Sequence, residues 1–332
     1  MKQNKIETVS VATERIPAYA HLSVIIPVYR SGSTLLEIHK RLRPVLESLT
    51  DRFEIIFVDD CGGDNSFSYV EQLVKEDPCV RGYQFNRNFG QHAATLCGIE
   101  HATGDWILTM DDDLEHPPEA IPSLYEKAKE GYDLVYGVYE ERSHAKWRNL
   151  SSELAKRAFR IAIPSLNYDY SAFRIIRRHI AQSLTRFDSP FPFIDGYLSW
   201  VTNRYSTVKV PHGTRYQGTS NYNLRKLLVF TLNIFVTFSE LPLKLATWIG
   251  LGSALVGLMT LLSILMLKFV GGISVSGYAS LMGAIVLFGG LQMFVLGIMG
   301  EYLGRINFKT SHKPNYLVAR EVAFKPDEEI KK

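Results

Sequence analysis

Cysteine is scarce. Cys61, Cys79 and Cys97 are the only three in 332 residues, with no CxxC spacing and no nearby histidine pair. That excludes a disulfide framework and a cysteine–histidine zinc site, and leaves reduced cytosolic thiols. Net charge is also small, +3 at neutral pH, so the basic excess that binds a phosphate backbone is missing and no nucleic-acid partner is expected. The first twenty-one residues lack an apolar run, so no cleaved signal is expected, and residues 1–20 read as a flexible tail. No GxxxxGK[ST] phosphate loop occurs, which argues against an ATPase.

What is present is a regular alternation. Apolar, β-rich runs at residues 22–27, 53–58, 80–85, 106–110 and 133–136 are separated by helix-period segments at 34–49, 66–76, 91–102 and 118–130. Ser33 or Thr34 can cap the first helix, and Pro118 suits a first helical turn. Strand and helix alternating with short links predict an α/β domain with a mostly parallel sheet covered on both faces. Residues 170–180 read as a further strand-like segment, 188–193 as a Pro/Phe-rich loop, and 204–210 as an added strand.

Polar clusters follow the strand ends: Asp59-Asp60, Asn86-Arg87-Asn88 and Asp111-Asp112-Asp113-Leu114-Glu115. In open α/β sheets ligands bind beyond the carboxyl ends of strands, so these clusters are expected to share one cleft. Alternation along a strand would put Asp111 and Asp113 on one face. Two carboxylates there repel unless a cation lies between them, and all-oxygen ligands suit Mg²⁺ or Mn²⁺. The plain alternative is a solvated acidic loop. Further on, Arg142, Lys146, Arg148, Lys156, Arg157 and Arg160 form a basic stretch. It is either a solvated helix face or the holder of an anionic second substrate.

The C-terminal third changes solvent. Residues 224–243 read as interfacial helices broken at Pro242. Two uncharged spans follow, about 245–267 and 278–300. At 1.5 Å per residue, about 23 residues reach roughly 34 Å, enough for a bilayer core. A buried hairpin in a soluble core is the alternative. Gly283, Gly289, Gly290, Gly297 and Gly300 permit close helix packing and predict a homo-oligomer, a tetramer among its forms. Arg225, Lys226 and Lys244 before the spans, and Arg305, Lys309 and Lys313 after them, outnumber Lys268 between them. The positive-inside rule then places the catalytic region and both termini in the cytoplasm. The remaining segment, 305–332, reads as a cytoplasmic tail, polar and mobile from Ser311 to Lys332.

The motifs SVIIPVY (23–29), FVDDCGGDNS (57–66), NRNFGQ (86–91), MDDDLEHPPE (110–119), KWRNLSS (146–152), RYQGTSNY (215–222) and GIMGEYLGR (297–305) together resemble family 2 glycosyltransferases. The branch is the one that loads a sugar onto a polyprenyl phosphate, with dolichyl-phosphate mannose synthases and bactoprenol glucosyltransferases. The resemblance spans residues 20–310. It implies a Rossmann-like glycosyltransferase-A-type domain at 21–223, interfacial helices at 224–243 and a transmembrane hairpin within 244–304. It implies inverting transfer from a nucleotide sugar, UDP preferred, at a bacterial inner membrane, in the making of cell-envelope glycans. Pro27 and Tyr29 would line the nucleotide pocket, Asp59 would contact base or ribose, and Asp60 and Asp64 would support the loop. Arg87 and Asp112 would lie at the nucleotide sugar. Asp111 and Asp113, with Glu115 as a third candidate, would hold the metal. Arg142, Arg148 and Ser152 would take the acceptor phosphate, with Arg215 and Ser220 closing over the substrates.

Three departures stand out. Arg30 replaces a frequent asparagine, Glu115 a frequent glutamine, and Ala172 an aspartate of the glucosyl branch, for which Asp169 and Asp195 are candidate substitutes. Two rival readings remain: a processive polysaccharide synthase, whose Gln-x-x-Arg-Trp motif is missing, and a membrane-anchored nucleotide-binding protein without transferase activity.

Overall fold

The structure is a computed structural model that describes residues 21–139, 166, 169–189, 191–213, 241–269, 277–311 and 313–324. Its elements run β1 (Leu22–Val28), α1 (Thr34–Leu49), β2 (Phe53–Asp59), α2 (Ser66–Glu76), β3 (Val80–Phe85), α3 (Gln91–His101) and β4 (Trp106–Thr109). A 3-10 turn (Pro118–Ala120) then leads into α4 (Ile121–Lys129), β5 (Leu134–Tyr139), β6 (Arg174–Arg177), α5 (Arg178–Leu184), α6 (Ile194–Val201) and β7 (Tyr205–Val210). The chain ends in α7 (Leu241–Phe269), α8 (Tyr278–Thr310) and β8 (Val318–Ala323).

One sheet carries all eight strands, in the order β7-β5-β6-β4-β1-β2-β3-β8. β1 pairs in parallel with β2 and with β4, β2 with β3, and β5 with β7, while β6 and β8 run antiparallel to their neighbours. The central strands are apolar on both sides because both faces are covered. On one face α1, α2 and α4 pack with Val24, Phe57 and Leu108; on the other, α3, α5 and α6 pack with Ile25, Ile56 and Ile107.

The chain winds from β1 through β2 to β3, then returns to the other side of β1 to lay down β4. The sheet therefore has a topological switch point between β1 and β4, the place where such sheets open a ligand crevice. β4 pairs with β1 only as far as Ile25–Thr109, two residues short of Pro27, so the missing Pro27 N–H costs no bond to β4.

Several sequence expectations shift. Residues 170–180 are a short strand followed by a helix: β6 gives way to α5 at Arg178, where the backbone N–H bonds to Asp105 O across 2.9 Å. Ser33 precedes α1 but makes no side-chain cap. Pro242 lies in α7, whose described part starts at Leu241; the segment before it, where the break was expected, lies outside the described residues. The expected mobile tail is corrected as well. Val318–Ala323 forms the edge strand β8 on β3, with Gly82 opposite Val322 and Arg81 opposite Ala323. Tyr83 Oη donates to Glu321 across 3.2 Å, and Tyr316 stacks on Phe85 at 5.1 Å.

Among the described residues two helices are long and apolar enough to cross a membrane, Leu241–Met259 within α7 and Leu287–Thr310 within α8. Their surfaces stay uncovered: Trp248, Leu287 and Met293 are each about two-thirds exposed or more. A helix buried in a soluble core would have hidden them. The interfacial helices expected at 224–240 lie outside the described residues.

Candidate functional site

Three loops leave the sheet at the switch point, after β1, β2 and β4. Each contains one non-glycine residue in the left-handed region: Arg30 at φ 59°, Cys61 at φ 53° and Leu114 at φ 64°. Such residues are uncommon and persist where surrounding contacts hold them. The contacts are visible. Arg30 Nε donates to Gly62 O at 2.8 Å, so the unusual arginine ties the first loop to the second. A Cβ on Gly62 would lie 2.9 Å from Arg30 N, which explains the glycine. Ser66 Oγ accepts the N–H groups of Ser31 and Gly32 and donates to Asp64. Leu114 is buried in the core beneath the acidic loop.

The four acidic residues at β4's end are not equivalent. β4 stops at Thr109, so strand alternation does not reach Asp111 or Asp113. They are neighbours all the same. Burial, then repulsion from Asp113 and Asp112, raises the Asp111 carboxyl to about 7, against a partial opposing pull from Arg174. Gln91, at the start of α3, donates its amide to Asp111. Asp112 turns away: it accepts the Tyr29 N–H at 2.9 Å and the Ser31 hydroxyl, fastening the first loop to the acidic one. Asp113 Oδ1 accepts the Glu115 N–H at 3.0 Å and so shapes its own turn.

His116 closes this loop. Its ring lies between those of Tyr139 and Phe173, and burial pushes it down to about 4, so it is a neutral imidazole at pH 7. Nδ1 accepts the Asp111 N–H at 3.3 Å, and Nε2 lies 3.4 Å from Ser171 Oγ. The sequence placed His116 and Gln91 inside motifs without giving either a role. A residue that bonds the backbone of a candidate ligand is found only from coordinates.

The second and third strand ends supply a floor. Asp60 accepts the N–H groups of Phe89 and Gly90 at 2.6 and 2.9 Å, binding the 86–90 loop to β2. Burial outweighs those two bonds and raises Asp60 to about 6. Asp59 accepts from Gln84 at 2.8 Å, and its Oδ1 is buried without a hydrogen-bond partner among the described residues. A free buried acceptor at a cleft wall is a place for a ligand N–H or hydroxyl. Tyr29 is 40% exposed at the rim, Pro27 is buried behind it, and Arg87 is exposed with its guanidinium 4.6 Å from the Phe89 ring.

Of the two carboxylates sought in place of Ala172, Asp195 is tied up in a buried pair. Asp195 is buried, paired with Arg174, and accepts from Tyr136 Oη at 3.0 Å. Its charge balances a buried guanidinium. Asp169 is exposed on the loop before β6. Arg142, Arg148, Ser152, Arg215 and Ser220 lie outside the described residues.

Among the described residues no three His, Cys, Asp or Glu side chains converge as a ready ligand shell. The chemistry of the donor set still suits a hard divalent ion. Asp111, Asp113 and Glu115 crowd one loop, and Arg174, the cation that offsets Asp111, is already committed to Asp195.

Comparison with known proteins decides the family. The profile described as Glycosyl transferase family 2 matches residues 23–185. The undecaprenyl-phosphate 4-deoxy-4-formamido-L-arabinose transferase of Pseudomonas paraeruginosa is 33% identical over 309 residues, 92% of this chain and 91% of that one. The chain belongs to glycosyl transferase family 2. It is a glycosyltransferase of α/β fold. The bactoprenol glucosyl transferase of Shigella phage SfV is 31% identical, covering 90% of this chain and 98% of its own. Among solved structures, glucosyl-3-phosphoglycerate synthase from Mycobacterium tuberculosis, in complex with Mn²⁺, UDP and glucosyl-3-phosphoglycerate, aligns with a TM-score of 0.47 and 20% identity over 66% of this chain and 78% of that one.

Proposed function

We propose that this family 2 enzyme transfers a sugar from a nucleotide diphosphate, UDP preferred, to a polyprenyl phosphate. The supporting observation is a juxtaposition. An acidic loop stands at the switch point of the sheet, and the same sheet takes back, as β8, the chain that leaves two exposed apolar helices. The two relatives named for undecaprenyl phosphate and bactoprenol share this chain nearly end to end.

In this reading Tyr29, Asp59 and Arg87 hold the nucleoside, with Pro27 behind them, and Asp60 fixes the loop that carries Arg87. Asp111 and Asp113 hold Mg²⁺ or Mn²⁺ at the donor diphosphate, with Glu115 beside them; Asp112 keeps the nucleotide loop in place. The ion, when bound, neutralises charge developing on the departing diphosphate. Arg148, Ser152 and Arg142, with Arg215 and Ser220, orient the acceptor. A phosphate monoester has its second pKa near about 6, so it is largely dianionic at neutral pH and needs orientation more than a base. That fits an alanine at position 172 and an Asp195 locked in a buried pair. One displacement inverts the anomeric carbon.

The membrane elements follow from the acceptor. The domain and both chain ends face the cytoplasm of a bacterial inner membrane, and the enzyme works as a homo-oligomer. A Cβ on Gly289, Gly290, Gly297 or Gly300 would meet no atom within 4 Å, so these helix faces are open to a second copy.

Purified protein incubated with polyprenyl phosphate, Mg²⁺ or Mn²⁺ and a panel of nucleotide sugars should yield a lipid-linked sugar with at least one donor. No product across the panel would reject the proposal. Asp113→Ala should abolish transfer while the protein stays in the membrane fraction, and Arg148→Ala should chiefly raise the acceptor KM.

A further inference from the structure

Four rings form a column across the ligand end of the sheet. Phe173 and His116 have centroids 5.2 Å apart with planes 17° from parallel. His116 and Tyr139 are 5.5 Å and 10° apart, and Tyr139 and His212 are 4.3 Å and 27° apart. The rings come from four segments distant in sequence: the residue before β6, the acidic loop, the end of β5, and the loop after β7. Near-parallel aromatic contacts at these separations hold ring planes in register and add to what burial alone supplies.

The acidic loop is bonded to this column at both ends. At one end His116 Nδ1 accepts the Asp111 N–H. At the other, Gly213 N–H donates to Glu115 O at 2.9 Å. The approach at Gly213 is so close that a Cβ there would lie 2.1 Å from Leu114 O and 2.9 Å from Glu115 O. Only glycine fits without displacing the loop. His212 Nδ1–H also donates to the carbonyl of the next residue, Gly213 O, at 2.6 Å, a local exposed bond; what sets the ring over Tyr139 is the stack itself.

We propose that His212 and Gly213 are positioning residues of the donor site: the ring column and the Gly213–Glu115 bond set the backbone of residues 111–115, and through it the carboxylates that receive a nucleoside diphosphate. This rests on reading Asp111–Glu115 as the donor end of the site. The role of His212 is that of a flat ring. It neither reacts nor transfers a proton.

The test uses the full chain in nanodiscs, with UDP as the probe and Mg²⁺ present. His212 is exposed, so its replacement leaves the core intact. His212→Ala should weaken UDP binding in calorimetry and raise the donor KM by about tenfold, equal to about 1.4 kcal/mol. The acceptor KM should hold, and the amides of residues 114–116 should exchange hydrogen faster. His212→Phe should restore all three, because it keeps the ring. Gly213→Ala should reproduce the loss. If His212→Phe is as impaired as His212→Ala while His212→Gln is active, a ring nitrogen is what matters and the proposal falls. Unchanged exchange and UDP binding in His212→Ala would overturn it too. Wild-type protein that binds UDP but transfers no sugar to polyprenyl phosphate would reject the proposed acceptor and leave this comparison intact.

Discussion

Asp60 shows how a site carboxylate can act through backbone alone. It takes two N–H bonds from the 86–90 loop, yet burial still raises its carboxyl to about 6 from an ordinary 3.8. Between those two values the native chain keeps a proton that the unfolded chain has released, so stability falls as pH rises through the window. Asp60→Asn lacks this titration. The stability gap between wild type and Asp60→Asn should therefore narrow as pH rises from 4 to 6, read as thermal midpoints in detergent. A constant gap would mean that Asp60 ionises as it would in water. Arg174 and Asp195 make the opposite case. Each is almost fully buried and neutralises the other, so Asp195→Asn should strand a buried guanidinium and cost about 3–5 kcal/mol of stability. A variant that lost transfer at unchanged stability would instead make Asp195 a base. The placement of Asp59, Arg87 and Asp111 after strand ends at one end of the sheet was legible in the sequence, because strands in an alternating pattern run parallel. The separate duties of Asp111, Asp112 and Asp113 were not, because three identical side chains differ only in the backbone they meet.

At the scale of elements, periodicity read well wherever one segment decides its own burial. β1, β2, α1 and α2 have apolar patterns that fix their type, and their expected limits differ from the observed ones by no more than a residue or so. β8 escaped because Val318–Ala323 is short, interrupted by Arg320 and Glu321 and largely exposed, and becomes a strand only through a partner more than two hundred residues earlier. β6 was merged with α5 because basic residues mark both ends of the strand and hide its limits. The edge strand has a measurable consequence. Val322 packs on the core beside Gly82, where even a single Cβ would lie 2.8 Å from Val322 Cγ2 and 2.4 Å from Val70 Cγ1. Ending the chain after Lys313 removes this cover and leaves β3 as a bare edge. The thermal midpoint should fall, by about 2–4 °C for each kcal/mol lost in a domain of this size. Amide exchange should rise in Val80–Phe85 and stay unchanged in β1. Protection of β3 equal to that of the full chain would show that β8 contributes nothing.

Across the whole molecule, β8 turns a sheet pairing into a statement about the membrane. The chain leaves the domain after β7, passes through α7 and α8, and returns to pair with β3. In the membrane arrangement proposed above, a chain that starts and finishes in one folded domain crosses the bilayer an even number of times, and the two apolar helices would supply two crossings. The contact between Arg305 and Phe191, with the guanidinium 5.6 Å from the ring, sets the end of α8 directly against the domain. The proposal then puts exposed Asn65, beside the loops after β1, β2 and β4, and exposed Lys313, after α8, on one side of the membrane, and Gly277, at the start of α8, on the other. Single cysteines at these three positions, in a chain freed of Cys61, Cys79 and Cys97, test this with a membrane-impermeant maleimide. Asn65→Cys and Lys313→Cys should label in inverted vesicles and stay protected in intact spheroplasts, and Gly277→Cys should do the reverse. Opposite labelling of positions 65 and 313 would require an odd number of crossings, which the pairing of β8 with β3 in one chain forbids.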